Sequence, residues 1–264
     1  VLEAAVDQGF AAYGVSEHAP RYGEHLLYDQ EREWGWEVPK LIELFDSYTT
    51  EIFALAEEFE GRLDVLRGFE AEVVPGADWL PRMNALRSRG FDFVVGSVHH
   101  VREISLDGPM ADFERALELC GGLEPLVVEY YESLAKMVRL FQPEVVGHLD
   151  LVRKNGRHVG DVDTPRARDA AMAALEQVKR TGGILDLNCA AYRKGMQSPY
   201  PAPWLVAAAH DLGIPFCFGD DSHGASEVGQ DLERGRDYLL QNGVRTITML
   251  RRTNEGVAHV VIEL

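Results

Sequence analysis

The sequence predicts an α/β fold in which a parallel sheet curls into a barrel, and three observations carry that reading. Helical and extended apolar segments alternate along the chain, the extended segments hold few polar residues, and polar clusters sit at their C-terminal ends. Short apolar runs separated by amphipathic helices are strands covered on both faces, the pattern of a parallel sheet. The helical segments are 1–8, 38–59, 79–89, 112–119, 123–140, 165–180, 202–212 and 229–241. Thr164-Pro165 starts one of them, with a hydroxyl cap and a proline in the first turn. Gly182 and Asn242-Gly243 stop two of them. The extended runs are 11–15, 63–68, 91–95, 144–146, 183–187 and 215–218. Six such runs also suit a doubly wound open sheet. Polar endings on nearly every run favour a barrel, in which all those ends share one rim. The last segments, 245–251 and 257–264, flank 252–256 and read as a β-hairpin.

Length and composition set the outer limits. The chain of 264 residues, 46% apolar and 26% charged, fits one α/β barrel, and no linker or repeat divides it, so residues 1–264 are read as one domain. No run of about 18 uncharged apolar residues occurs, so no membrane span is expected. The first eight residues read as half an amphipathic helix rather than a signal peptide. Cys120, Cys189 and Cys217 are odd in number and widely spaced, as expected of reduced thiols in a cytoplasmic protein. A net charge of −17 argues against nucleic acid or an anionic membrane as the main partner. It leaves room for a small anionic substrate wherever bound cations reverse the local sign.

The chemistry collects at the strand ends. The run 215–218 leads into Gly219-Asp220-Asp221-Ser222-His223, where a carboxylate and an imidazole two positions apart in extended backbone point to one side. Three other runs end alike, in Ser16-Glu17-His18, in His99-His100 and in His148-Leu149-Asp150. With Glu70 from Gly68-Phe69-Glu70, the tips supply His18, Glu70, His99, His148, Asp221 and His223 as expected metal ligands. Imidazole and carboxylate together suit Zn²⁺, Mn²⁺ or Fe²⁺ better than Mg²⁺. Glu70 and Asp221 are able to bridge two ions, and ions about 3.5–4 Å apart activate water and clamp a phosphate. His100 points away from His99 on an extended chain, and Glu72 shares the face of Glu70 as a less favoured ligand. Taken singly, a histidine at a strand end is more often a structural residue; four of them with carboxylate partners make a site. There is no GxSxG elbow, no phosphate-binding GxxxxGK[ST] loop and no GxGxxG.

These motifs, joined by Asn188-Cys-Ala-Ala-Tyr-Arg-Lys-Gly195 and Tyr200-Pro201, resemble those of the PHP (polymerase and histidinol phosphatase) family, within it most of all the monofunctional histidinol-phosphate phosphatases. The resemblance spans residues 16–223. It implies a distorted (β/α)7 TIM-like barrel with two or three divalent ions at the strand C-termini. It implies hydrolysis of L-histidinol phosphate, in histidine biosynthesis, by a metal-bridging hydroxide, with Glu70, Asp221 and His223 as the catalytic residues. Arg193 and, second, Arg153 are the expected phosphate-binding residues, because guanidinium pairs with phosphate oxygens bidentately. The alternatives are another small phosphate ester, an oligonucleotide end, or an inactive fragment with an incomplete metal site. Two departures stand out. The family opens on a strand ending in His-x-His, which this sequence lacks, so the expectation is either a chain without its first barrel strand or a reduced metal site. The family's Gly-Ser-Asp is here Gly219-Asp220-Asp221, which makes Asp220 a candidate supporting residue.

Overall fold

The computed structural model describes residues 1–73 and 78–264. Its strands, in chain order, are β1 (Ala12–His18), β2 (Asp64–Glu72), β3 (Phe93–Ser97), β4 (His100–Val101), β5 (Ile104–Ser105), β6 (Val145–Val146), β7 (Ile184–Asn188), β8 (Phe216–Gly219), β9 (Thr246–Thr253) and β10 (Gly256–Glu263). Six of them form one all-parallel sheet in the order β1-β2-β3-β6-β7-β8, so each new strand is laid beside the one before it. Helices fill the crossovers: Val38–Glu58 before β2, Trp79–Arg87 before β3, Leu123–Phe141 before β6, Pro165–Thr181 before β7 and Pro203–Leu212 before β8. Crossovers of one hand keep the helices on one face of the sheet, and the other face curls inward. The two edges approach one another, because the Tyr13 hydroxyl of β1 donates to the Asp220 carboxylate just past β8 at 2.8 and 3.0 Å. The architecture is therefore a curled parallel half-barrel.

All five residues of β7 are buried, as the absence of polar alternation predicts for a strand covered on both faces. Helices Leu123–Phe141 and Pro165–Thr181 form the main outer layer, and Leu126, Leu134, Leu175 and Val178 are wholly buried between them and the sheet. The predicted start at Thr164 is present, its hydroxyl accepting from Ala167 N at 3.3 Å with Pro165 in the first turn. Gly182, at φ +73°, ends the same helix in the left-handed conformation that glycine adopts most cheaply.

The terminal hairpin closes the floor. Leu250 of β9 is buried among Leu66, Phe93, Val145 and Ile184, and the last three of these are the first residues of their strands. The N-terminal end of the half-barrel is thus plugged, and the C-terminal rim is left to the loops. Phe93 fills the interior just above this floor. A Cβ on Gly68 would lie 2.4 Å from its ring, so β2 needs a glycine there.

The strands run further than apolar content alone marks. β1 continues to His18 and β2 to Glu72 because the parallel ladder pairs His18 with Glu70 and Glu70 with Val95, carrying polar residues into the sheet. The pair β4–β5 and the short helices Asp29–Glu33, Arg153–Gly156 and Ala190–Arg193 have no counterpart in the sequence reading, since four or five residues are too few to display a period. Among the described residues no helix is long and apolar enough to cross a membrane.

Candidate metal centre

Four of the six expected ligands meet at the C-terminal rim. Register does most of this work: His18 and Glu70 are paired neighbours on β1 and β2, so both side chains emerge at one level. His18 Nδ1 lies 3.3 Å from Glu70 Oε2. His99, just past β3, brings Nε2 to 3.5 Å from Glu70 Oε1, and His148, just past β6, brings Nε2 to 3.2 Å from the same oxygen. The two Nε2 atoms stand 3.1 Å apart. Glu70, His99 and His148 are buried, while the His18 side chain is 30% exposed toward the opening.

The donor set fits a divalent cation. Two imidazole nitrogens and a carboxylate oxygen converge within 3.1–3.5 Å of one another. Ligands about 2.0–2.2 Å from a tetrahedral ion stand roughly 3.3–3.6 Å from one another, close to the separations seen here. Donor atoms of His18, Glu70 and His99 all lie within 4.8 Å of one another. Burial would raise the Glu70 carboxyl, but His18, His99 and His148 outweigh it and hold the group well below the usual carboxylate range. Glu70 is therefore an anion in the middle of the cluster.

The β8 tip is arranged differently. Asp221 lines the same cavity of about 530 Å³ as Glu70 and His148, yet its Oδ2 faces Lys194 Nζ at 3.1 Å. Burial pushes its carboxyl up, and Lys194, His148 and His223 together more than offset this, leaving it lowered. His223 also lines the cavity, but its side chain is 68% exposed and its Nδ1 sits 3.0 Å from the Asp221 carbonyl oxygen. Asp220 accepts from Tyr13, from Ser222 N at 3.3 Å and from Gly229 N at 2.8 Å, so it ties the tip loop together.

The two expected phosphate-binding arginines also part company. Arg193 Nη2 donates to the carbonyl oxygens of Asp220 and Asp221 at 2.7 and 2.9 Å, while its Nη1 is buried without a hydrogen-bond partner. Arg153 is held by three groups: Nε forms an ion pair with Asp150 at 2.9 Å without a hydrogen bond, Nη1 donates to Ser198 Oγ at 2.7 Å and Nη2 donates to the Pro199 carbonyl. His100 turns away from the cluster and stacks on Tyr28, with ring centroids 6.5 Å apart. The side chain of Glu72 lies outside the described residues.

Two residues near the cluster escaped the sequence reading. Lys194 is a cation facing the Asp221 carboxylate. Asp186 is a carboxylate inside β7, 7% exposed, which accepts from Asn188 Nδ2 at 3.0 Å and from the backbone N–H of His148 at 3.5 Å. Burial pushes its carboxyl up to about 7, against the pull of the His148 imidazole. The signal was present in the sequence, since Ile184-Leu185-Asp186-Leu187 places one carboxylate inside an otherwise apolar strand.

Comparison with known proteins agrees with this geometry. Residues 1–190 match the family model described as the PHP domain. The "Probable histidinol-phosphatase" of Deinococcus radiodurans is 34% identical over 252 residues, covering 95% of this chain and 89% of the relative. The crystal structure of a Listeria monocytogenes protein assigned as a candidate histidinol phosphatase superposes with a TM-score of 0.78 at 24% identity, over 88% of this chain and 91% of the other. That of histidinol phosphate phosphatase from Lactococcus lactis, complexed with zinc, L-histidinol and phosphate, gives a TM-score of 0.70 at 19% identity, over 97% and 90% of the chains. Both structural likenesses establish the fold.

Proposed function

The chain belongs to the PHP domain family, and from that premise we propose that it is a metal-dependent phosphomonoesterase that converts L-histidinol phosphate to L-histidinol and phosphate. The observation that carries the proposal is the convergence of His18, His99 and His148 on one buried carboxylate, Glu70, at the rim of a cavity of about 530 Å³. The 34% identical relative, named as a histidinol-phosphatase, supplies the substrate.

In this reading one domain, residues 1–264, carries the whole site, and the half-barrel is the frame of a distorted (β/α)7 barrel. His18, Glu70, His99 and His148 would hold two or three ions of zinc, manganese or iron, with Asp221 completing the set from the mouth. Such ions supply positive charge for the phosphate and lower the pKa of a bound water. Glu70 keeps the imidazoles turned inward. Arg193, whose Nη1 is unspent, takes the phosphate oxygens, and Lys194 adds a second positive charge beside Asp221. Arg153 joins them only by giving up Ser198 or Pro199. His223, exposed at the mouth, is placed to give a proton to the departing histidinol oxygen. The three free cysteines support a cytoplasmic setting.

Phosphate release from L-histidinol phosphate is expected to stop on full removal of metal by a chelator and to return on adding Zn²⁺ or Mn²⁺. Undiminished release from protein shown to be metal-free would end the reading.

A further inference from the structure

His148 is held in a backbone conformation that side chains with a Cβ rarely adopt, with φ at +23°. The kink turns the chain out of β6 after only two strand residues and swings the imidazole back over Glu70 and His99. Strain of this kind persists only where the surroundings fix it. On the carbonyl side the Tyr130 hydroxyl does so, donating to Leu149 O at 3.1 Å and accepting from Leu151 N at 3.2 Å. On the amide side the one partner among the described residues is the Oδ2 of Asp186 on the next strand.

We propose that Asp186 is a positioning residue for the metal centre: its carboxylate receives the His148 N–H and pins the strained turn that aims the His148 imidazole at Glu70. The consequence for metal rests on the functional reading above; the backbone consequence does not. Three observations support the assignment. A carboxyl group only 7% exposed inside an apolar strand is costly and persists where it has a task. Asn188 Nδ2 donates to the same Oδ2, which orients the carboxylate toward His148. The opposite oxygen, Oδ1, has no hydrogen-bond partner and lies against Gly219, where a Cβ would stand 2.0 Å from it. Glycine at 219 thus leaves the space that lets Asp186 sit where it reaches His148. Asp186 is a support of the site and need not touch substrate.

The hydrogen bond requires an acceptor oxygen and not a charge. Asp186→Asn retains one, with its amide nitrogen turned toward Gly219, whereas Asp186→Ala loses it. Two measurements separate them: exchange of the His148 amide proton in metal-free protein by NMR, and zinc affinity by competition with a chromophoric chelator. Asp186→Ala is expected to speed His148 exchange about tenfold or more and to weaken zinc roughly 10–100-fold, the range typical of a lost outer partner, with Asp186→Asn within about threefold of the parent. In turnover the loss falls on kcat, with KM nearly unchanged. Unchanged His148 exchange in Asp186→Ala overturns the proposal, as does an Asp186→Asn variant that loses as much as Asp186→Ala. Should Asp186→Ala fail to fold, Gly219→Ala decides, since it displaces the carboxylate without deleting it; unaltered exchange there also overturns the assignment. A parent protein that binds no zinc would sink the phosphatase reading and leave the exchange test intact.

Discussion

The Glu70 cluster and the β8 tip use the same two side-chain types and are built in different ways. In the cluster, His18 and Glu70 stand on paired strands, His99 and His148 each lie two residues past their strands, and their donor atoms stand 3.1–3.5 Å from the nearest neighbour. At the tip, Asp221 has φ at +48°, pairs with Lys194, and hands its carbonyl to an exposed His223. A sheet ladder fixes both direction and height of a side chain, so His18 and Glu70 converge on their own, while His148, past its strand, has its amide held by Asp186. A loop fixes neither and depends on its neighbours, here the Asp220 contacts to Tyr13, Ser222 and Gly229. The cluster is anchored in the sheet, and the tip is held by contacts within its loop.

Breaking the two regions in turn tests that division. Glu70→Ala removes the one anion among three imidazoles, so both metal content and phosphate release are expected to fall by about a thousandfold or more, well beyond the 10–100-fold of an outer partner. His223→Ala is expected to cost about 10–100-fold in kcat, the low end of a lost acid–base group, with zinc content at the cluster retained. Equal metal loss in the two variants, read by elemental analysis, would erase the distinction.

The arginines sharpen it further. Arg193→Ala is expected to lower kcat/KM about 10–100-fold, by the loss of roughly 1.5–3 kcal/mol of charged hydrogen bonding to phosphate, without lowering the melting temperature by more than a few degrees. Arg153→Ala should instead lower the melting temperature first, because Asp150 is buried and loses its cation while Ser198 and Pro199 lose their donor. A variant of Arg153 that is fully stable and only catalytically impaired would move this residue to the phosphate.

A further effect is in pH. Burial raises the Asp186 carboxyl to about 7 from an ordinary 3.8. The folded metal-free protein therefore binds a proton that the unfolded chain has released between those values, and its stability falls as pH rises through the window. Asp186→Asn has nothing to ionise, so its stability relative to the parent should grow from pH 4 to 7, at a limit of about 1.4 kcal/mol per unit. Urea midpoints of both proteins at pH 4.5 and 7 would read this, and parallel midpoints would count against it.

The alternation of segments placed the six parallel strands and the closing hairpin, because burial on both faces leaves a compositional mark on every strand. It placed His18, Glu70, His99 and His148 too, since each falls within two residues of a strand end. Helices of four or five residues left no mark, and neither did the difference between Arg153 and Arg193, which depends on what Ser198, Pro199 and Asp150 do across the fold. Asp186 was visible as a charge in an apolar run but without a purpose. Its purpose depends on β6 and Gly219 lying on either side of it.

What the sequence determined by itself is the kind of site: imidazoles and carboxylates at the ends of parallel strands, by period and position alone. What only the tertiary structure decided is which of those groups are brought together and which stand apart on the tip loop. Local pattern sets where a side chain leaves the backbone, but its partners come from strands and loops dozens of residues away, and those contacts determine direction and charge state.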